Sequence, residues 1–211
     1  MTARSNMVAI VLAGGESRRF GTDKLAVDLL GRPLLHHALE AVAAVAVRIV
    51  VVVAPGAPLP SCPAELVARV SFARDAETFG GPLAGLVAGL GALDPDAGAS
   101  AAEPVIVLVV GGDMPWIVPA VLLLLVDALV ADTTLGAATL EADPPTALPM
   151  AVRPWLAGPA AADLLGENRR ALRGLLGRVP SIVMPSATWR PLDHDGRTLR
   201  DVDAPDDLPR R

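Results

Sequence analysis

The sequence is poor in the residues that build disulfides, metal cages and aromatic clusters. It has a single cysteine, Cys62, so neither an internal disulfide nor a cysteine metal cluster can form. Tyrosine is absent, and aromatic residues make up 3% of the 211 residues. The 52% of apolar residues therefore predict a core of small aliphatic side chains. A chain of this length can bury such a core, and we predict a single domain over residues 1–211.

Neither the charge nor the hydrophobic runs indicate a nucleic-acid or membrane partner. The formal net charge is −5 and the isoelectric point is about 5.1, which gives no general attraction to nucleic acid. The longest apolar stretch, 117–130, is interrupted by Pro119 and Asp127. It falls short of the roughly 20 apolar residues that cross a bilayer. With a lone cysteine, these features predict a cytoplasmic protein.

Apolar, β-branched runs alternate with helical stretches along the chain. Strands that are bounded by helices, and hydrophobic throughout, indicate a parallel sheet covered on both faces. The predicted fold class is therefore α/β, with a mostly parallel β-sheet as the middle of three layers. Ligands of such sheets bind beyond the carboxyl ends of the strands. The predicted strands are 8–12, 48–54, 70–73, 105–110, 135–140 and 182–184, and the predicted helices are 33–45, 82–93, 119–131, 154–165 and 169–178.

The only lysine, Lys24, closes a glycine-rich loop that begins where the first predicted strand ends. The other seventeen cationic side chains are arginines, and a compact ammonium is not interchangeable with a planar guanidinium. Gly14 and Gly15 let backbone amides approach a ligand and form an anion-binding concavity. Because Arg19 and Lys24 lie within the same short stretch, we predict a triphosphate-binding loop rather than an ordinary turn.

Asp113 follows the most hydrophobic predicted strand, at the edge of the sheet where ligands gather. A carboxylate there could hold Mg²⁺, which binds through one or two carboxylates plus substrate phosphates. Taken alone, Asp113 would more simply cap the next turn or helix. A triphosphate loop at the same edge favours the metal site, and Mg²⁺ is the predicted cofactor.

Each of three further segments has two possible interpretations. Asp75, followed by the glycines of 80–85, could contact a nucleotide, or the segment could simply start a packed helix. Asp201 and Asp203 could face the site, or Asp203 could cap a helix that starts near Pro205. The arginines of 169–173 could hold an anionic acceptor or form a solvated helix face.

Taken in order, these motifs resemble the MobA-type molybdenum cofactor guanylyltransferase family over nearly the whole chain. The segment from Leu12 to Lys24 is similar to the family pattern L-A-G-G-x-S-x-R-M-G-x-D-K. Phe20 stands where the family commonly has Met, and Asp201 and Asp203 stand where guanylyltransferases often carry Asn. The other matching segments are 81–85 after Asp75, 112–115, 149–153, 166–170 and 201–205.

The resemblance implies a Rossmann-like nucleotidyltransferase fold and transfer of GMP from GTP to the terminal phosphate of molybdopterin, with release of pyrophosphate. Lys24, Arg19 and Mg²⁺ would stabilise charge on the pyrophosphate, and Asp113 would hold the metal. Transient contact with cofactor-delivery proteins or molybdoenzymes is a further implication. The residues implied to bind GTP are Leu12, Ala13, Gly14, Gly15, Lys24, Asp75, Gly85 (against the guanine) and Asp113.

Two alternatives to this activity remain open at the level of the sequence. One is a related nucleotidyltransferase with another base or acceptor, such as a molybdopterin cytidylyltransferase. The other is a non-catalytic nucleotide-binding homologue.

Overall fold

A computed structural model of the protein describes residues 7–14, 23–75, 80–93 and 105–208. These ranges contain nine strands and six α-helices, joined by short 3-10 turns. The strands are β1 (Val8–Ala13), β2 (Asp28–Leu29), β3 (Arg32–Pro33), β4 (Arg48–Val53), β5 (Val70–Arg74), β6 (Val107–Gly111), β7 (Ala137–Leu140), β8 (Met150–Val152) and β9 (Ser181–Met184). The helices are α1 (Leu34–Ala43), α2 (Gly81–Gly91), α3 (Pro119–Ala131), α4 (Pro154–Gly166), α5 (Arg173–Leu176) and α6 (Ser186–Trp189).

Seven strands form one sheet in the order β5-β4-β1-β6-β8-β7-β9, and β2 pairs with β3 in a separate hairpin. β1 lies parallel to both β4 and β6, and β5 extends the parallel set beyond β4. β8 runs antiparallel to β6 and β7, and β7 is parallel to β9. Six of the seven strands therefore share one direction, as the sequence predicts.

The two faces of the sheet bury two separate hydrophobic clusters. In β1, Ile10 packs with α2, α4 and α5, whereas Val11, its neighbour, packs with α1 and α3 on the other face. Because both faces of the sheet are covered, polar residues do not alternate with apolar ones along the strands. This explains the continuous apolar runs. The three-layer α/β prediction is confirmed.

Helix α2 approaches the sheet closely because glycines face it. A Cβ added at Gly89 would lie 2.8 Å from Ile10 Cγ2, and one at Gly85 would lie 3.0 Å from Leu12 Cδ2. Both distances are shorter than ordinary van der Waals contact. The missing side chains thus bring the start of α2 beside the carboxyl end of β1.

The predicted and observed elements differ mainly in the short pieces. The helix predicted over 169–178 is confined to Arg173–Leu176. Strand β8 and the β2–β3 hairpin were not predicted. The stretch 117–130, predicted to be a packed helix, lies largely in α3. None of the described helices is long and apolar enough to cross a membrane.

Candidate active site

A cleft of about 420 Å³ opens at the carboxyl edge of the parallel strands. Its walls are the segments that follow β1, β4, β5 and β6, together with the start of α2 and one residue that precedes β8. This is the edge at which α/β sheets bind ligands. The lining residues are Leu12, Gly14, Val52, Val53, Ala54, Pro55, Asp75, Gly80, Gly81, Pro82, Gly85, Gly111, Asp113 and Leu148.

Lys24 lies at one end of this cleft in a group that we call the charged cluster: Lys24, Asp113, Asp201 and Asp203. The lysine begins a 3-10 turn that Asp23 caps through the Leu25 amide, at 3.0 Å. Its Nζ donates to Asp113 Oδ2 at 2.6 Å and to Asp203 Oδ1 at 3.2 Å. The two side chains expected to converge, Lys24 and Asp113, are therefore in direct contact although 89 positions separate them.

The charges of the cluster perturb one another. Burial by itself lowers the pKa of Lys24, but the hydrogen bonds and charges of Asp113 and Asp203 outweigh it and raise the pKa above its ordinary value. Desolvation raises the pKa of Asp201 although the residue remains exposed to solvent, and the charges of Asp203 and Asp113 raise it further. Three carboxylates thus surround one ammonium, which leaves an excess of negative charge.

The backbone around Asp113 is held from both sides. The amide of Gly112 donates to Leu12 O at 2.9 Å, which joins the ends of β1 and β6. The amide of Val202 donates to Asp113 O, also at 2.9 Å. Asp113 Oδ1 lies directly over Gly111, where a Cβ would collide with it. The glycine therefore makes room for the carboxylate.

Buried polar side chains fasten the C-terminal segment against the start of α3. Asp193, 4% exposed, accepts from the Thr198 amide at 2.7 Å and from the Arg197 amide at 3.2 Å. The Thr198 hydroxyl accepts from the Val118 amide at 3.0 Å, just before α3. This anchoring brings the residues that follow, including Val202, to the charged cluster.

The two interpretations of Asp203 are resolved by its contacts. Asp207, rather than Asp203, caps the 3-10 turn Pro205–Asp207, because its Oδ2 accepts from the amides of Asp203 and Ala204 at 2.9 and 2.7 Å. The Asp203 side chain instead reaches Lys24. Asp113, likewise, contacts Lys24 rather than capping α3.

Glycines form the other end of the cleft, at the start of α2. Gly81 has a φ of +76°, and a Cβ there would lie 3.0 Å from both Arg170 Cβ and Arg170 O. The amide of Leu83 donates to Arg170 O at 3.2 Å. Carboxylate oxygens of Asp75 lie 3.1 and 3.2 Å from the Cβ position of Gly80. The wall of the cleft at the start of α2 therefore consists largely of backbone atoms, and the Asp75 carboxylate lies close to it.

Most of the predicted binding residues fall in one place. Five of them line the cleft, and Lys24 contacts its edge through Asp113. Ala13 ends β1 and is paired with Val53, but it is not among the lining residues. Gly15 and Arg19 lie outside the described residues. The five lining residues are Leu12, Gly14, Asp75, Gly85 and Asp113.

Four contributors to the site were not predicted from the sequence. Ala54 and Pro55 follow β4 directly and could have been found from the rule that sites collect after strand ends. Leu148 is held by its neighbours, because the buried Thr139 hydroxyl lies 3.2 Å from both Ala147 O and Pro149 O. The Val202 carbonyl, which accepts from Lys24 Nζ at 3.3 Å, has no local sequence signal.

The arginine of the 149–153 segment is structural. Arg153 is 1% exposed and donates to the carbonyls of Leu129, Leu135 and Asp132 at the end of α3. Burial lowers the pKa of Arg153, and the charge of Asp132 offsets this in part. Its guanidinium therefore satisfies backbone carbonyls at the C-terminal end of α3.

The donor set of the charged cluster suits a hard divalent cation that also binds the substrate. Carboxylate oxygens are the ligands that Mg²⁺ prefers, and this ion usually takes only one or two of them. Across the ranges that the structure describes, no group of three or more His, Cys, Asp or Glu side chains forms a complete metal cage. Asp113 lines the cleft, and the charged cluster to which it belongs has three carboxylates for one ammonium. The site therefore fits a metal shared with a polyphosphate.

The chain is similar to known proteins over most of its length. The sequence profile of the MobA-like NTP transferase domain matches residues 9–182. The chain is 30% identical to a probable molybdenum cofactor guanylyltransferase of Chloroflexus aggregans, over 99% of this chain and 94% of that protein. A protein of the same name from Pyrococcus horikoshii is 38% identical over 54% of this chain and 51% of its own length.

A solved structure shares the fold. The molybdopterin-guanine dinucleotide biosynthesis protein A of Archaeoglobus fulgidus superposes with a TM-score of 0.72. The match covers 96% of this chain and 94% of that chain, at 24% identity. At this sequence identity, the likeness shows that the two proteins share a fold.

Proposed function

Because the chain belongs to the MobA-like NTP transferase domain family, we propose that it transfers GMP from GTP to the terminal phosphate of molybdopterin. An oxygen of that phosphate attacks the α-phosphorus of GTP, and the bond from the α-phosphorus to the bridging oxygen breaks. Pyrophosphate leaves with the bonding electron pair, and the product is a guanine dinucleotide of molybdopterin. The observation that carries the proposal is the contact of Lys24 with Asp113 at the edge of a glycine-walled cleft.

The charged cluster is suited to the polyphosphate end of a nucleotide. The Lys24 ammonium is a compact donor that stays protonated, because neighbouring carboxylates raise its pKa. In the transfer, Lys24 would stabilise charge that accumulates on the departing pyrophosphate. Arg19, on the same loop but outside the described residues, has the same predicted role.

Asp113 would hold Mg²⁺ in the complex, in line with the acidic surroundings described above. When bound, the ion would neutralise phosphate charge and orient the polyphosphate. The protein's own part is to fix the carboxylate, through the Leu12–Gly112 and Asp113–Val202 backbone hydrogen bonds. Positioning of this kind replaces the need for a protein nucleophile.

The glycine wall is suited to the nucleoside. Gly80, Gly81 and Gly85 line the cleft, so a base bound at this wall would lie against backbone. Asp75, whose carboxylate lies beside Gly80, is an acceptor that can receive hydrogen bonds from the base or ribose. Leu148 adds an apolar surface to the lining of the cleft.

Turnover by the purified protein tests the proposal. GTP, Mg²⁺ and molybdopterin together should yield pyrophosphate and the guanine dinucleotide in equal amounts. Omitting molybdopterin, or adding EDTA, should stop the release. CTP and ATP in place of GTP test the base. If no nucleotide yields pyrophosphate, the transferase activity is rejected, and faster turnover of CTP would reject the choice of guanine.

A further inference from the structure

The Lys24 ammonium already has an acceptor for each of its three protons. Asp113 Oδ2 lies at 2.6 Å, Asp203 Oδ1 at 3.2 Å and Val202 O at 3.3 Å from Nζ. A lysine side chain offers three donors and no more. A phosphate oxygen can therefore bind Lys24 only if one of these acceptors moves away or shares its proton.

Two of the three acceptors are firmly held. Val202 is fully buried, packs with Leu29 and Leu34, and donates its amide to Asp113. Its carbonyl cannot move without disturbing that packing. Asp113 has the shortest contact with Lys24 and a side chain only 25% exposed.

Asp203 is the acceptor that leaves most easily. Its side chain is 55% exposed, and its contact with Lys24 is 0.6 Å longer than that of Asp113 (3.2 against 2.6 Å). A carboxylate that already faces water loses little when it gives up an ion pair, because such pairs contribute only about 0.2–1 kcal/mol. Its negative charge would also repel an approaching polyphosphate.

We infer that Asp203 is a positioning residue that holds the Lys24 ammonium beside Asp113 until the polyphosphate of the nucleotide replaces it. The inference rests on the proposed function insofar as the replacing group belongs to GTP. An asparagine at this position would hold lysine without a competing charge. The chain therefore exchanges one anionic partner of Lys24 for another.

Lys24 is the only lysine of the sequence, which makes a direct test simple. Protein labelled with ¹³C at the lysine ε-carbon gives one lysine side-chain resonance. The probe is inorganic tripolyphosphate in EDTA, which carries neither a base nor a metal. The proteins compared are the wild type, Asp203→Asn and Asp206→Asn. Asp206 is an exposed residue of the same segment, and its replacement changes the net charge equally.

Tripolyphosphate should shift the Lys24 resonance in all three proteins. Half-saturation in Asp203→Asn should fall at a roughly five-fold lower concentration than in the wild type, because a competing charge is gone. Asp206→Asn should stay within about two-fold of the wild type, since its charge is exposed and screened. The Lys24 resonance of ligand-free Asp203→Asn should also differ from the wild type.

Two results would overturn the inference. One is a Lys24 resonance that saturating tripolyphosphate leaves unmoved. The other is equal or weaker binding by Asp203→Asn, which would mean that the carboxylate itself supports the ligand. Loss of GTP transfer with a normal tripolyphosphate response would instead reject the proposed function and leave this inference standing.

Discussion

Lys24 and Arg153 are the two cationic side chains buried in the part of the chain that the structure describes, and their surroundings differ in kind. Lys24 faces formal negative charges at the mouth of a cleft, whereas Arg153 faces backbone carbonyls at the end of α3. Correspondingly, the pKa of Lys24 is raised and that of Arg153 is lowered.

Under the proposed function, this difference separates a cation that acts in catalysis from one that acts in folding. Carbonyls carry only partial charge, so Arg153 completes a helix end without attracting a ligand. Carboxylates that exceed the charge of Lys24 can instead recruit a metal ion or yield to a phosphate. Burial alone would not have distinguished the two residues, but the nature of their acceptors does.

The largest expected effect is on catalysis, from Lys24→Arg. The charge is preserved, but the planar guanidinium cannot occupy the position between Asp113 and Asp203. We expect kcat/KM for GTP transfer to fall by about 100-fold or more, with little loss of stability. Steady-state pyrophosphate release and thermal unfolding measure the two quantities. Activity within a few-fold of the wild type would remove the distinction drawn between the two cations.

Arg153→Lys, the reverse exchange, should affect stability instead. Lysine can reach fewer of the carbonyls of Leu129, Leu135 and Asp132, and it leaves buried acceptors without donors. We expect the free energy of unfolding to drop by about 2–4 kcal/mol. Denaturant unfolding measures this loss. The kcat/KM of the folded fraction should stay unchanged, and a selective loss of turnover would contradict the structural role.

Gly89→Ala should destabilise the packing of α2 while leaving the cleft residues in place. The added Cβ would lie 2.8 Å from Ile10 Cγ2. Overpacking of this kind lowers the free energy of unfolding by about 1–3 kcal/mol. The higher helix propensity of alanine offsets part of that loss. Gly91→Ala is the control, because nothing lies within 4 Å of its added Cβ. A thermal midpoint for Gly89→Ala at or above that of Gly91→Ala would disprove the close approach.

The smallest expected effect is the pH dependence introduced by Asp201. Its folded pKa lies above the unfolded value of about 3.8, so the native state loses stability as pH rises through the folded pKa. Asp201→Asn should therefore raise the thermal midpoint at pH 7, by at most about 3 °C for a solvent-exposed residue. The gain should vanish below the unfolded pKa. A gain that persists at pH 3 would assign the effect to something other than ionisation.

Much of this architecture could be predicted because it follows from local patterns. Continuous apolar strands that alternate with helical stretches indicated the α/β fold, and the rule about strand ends predicted that Lys24 and Asp113 lie at one edge of the sheet. Strand β8 escaped prediction because three apolar residues before a helix carry no distinctive period. The roles of Val202 and Asp203 could not be settled either, since contacts across 178 and 179 positions leave no mark on neighbouring residues.

That long separation has a consequence for the birth of the protein on the ribosome. The glycine loop and Lys24 are synthesised early, but Val202 and Asp203, two of the lysine's partners among the described residues, emerge only after nearly all the rest of the chain. A nascent chain can therefore pair β1 with β4 and β6 and bring Asp113 to Lys24 well before Val202 and Asp203 reach the same ammonium. On the inference drawn above, a polyphosphate would meet less competition for Lys24 at this stage, and the competing carboxylate of Asp203 would arrive only with the C-terminal segment.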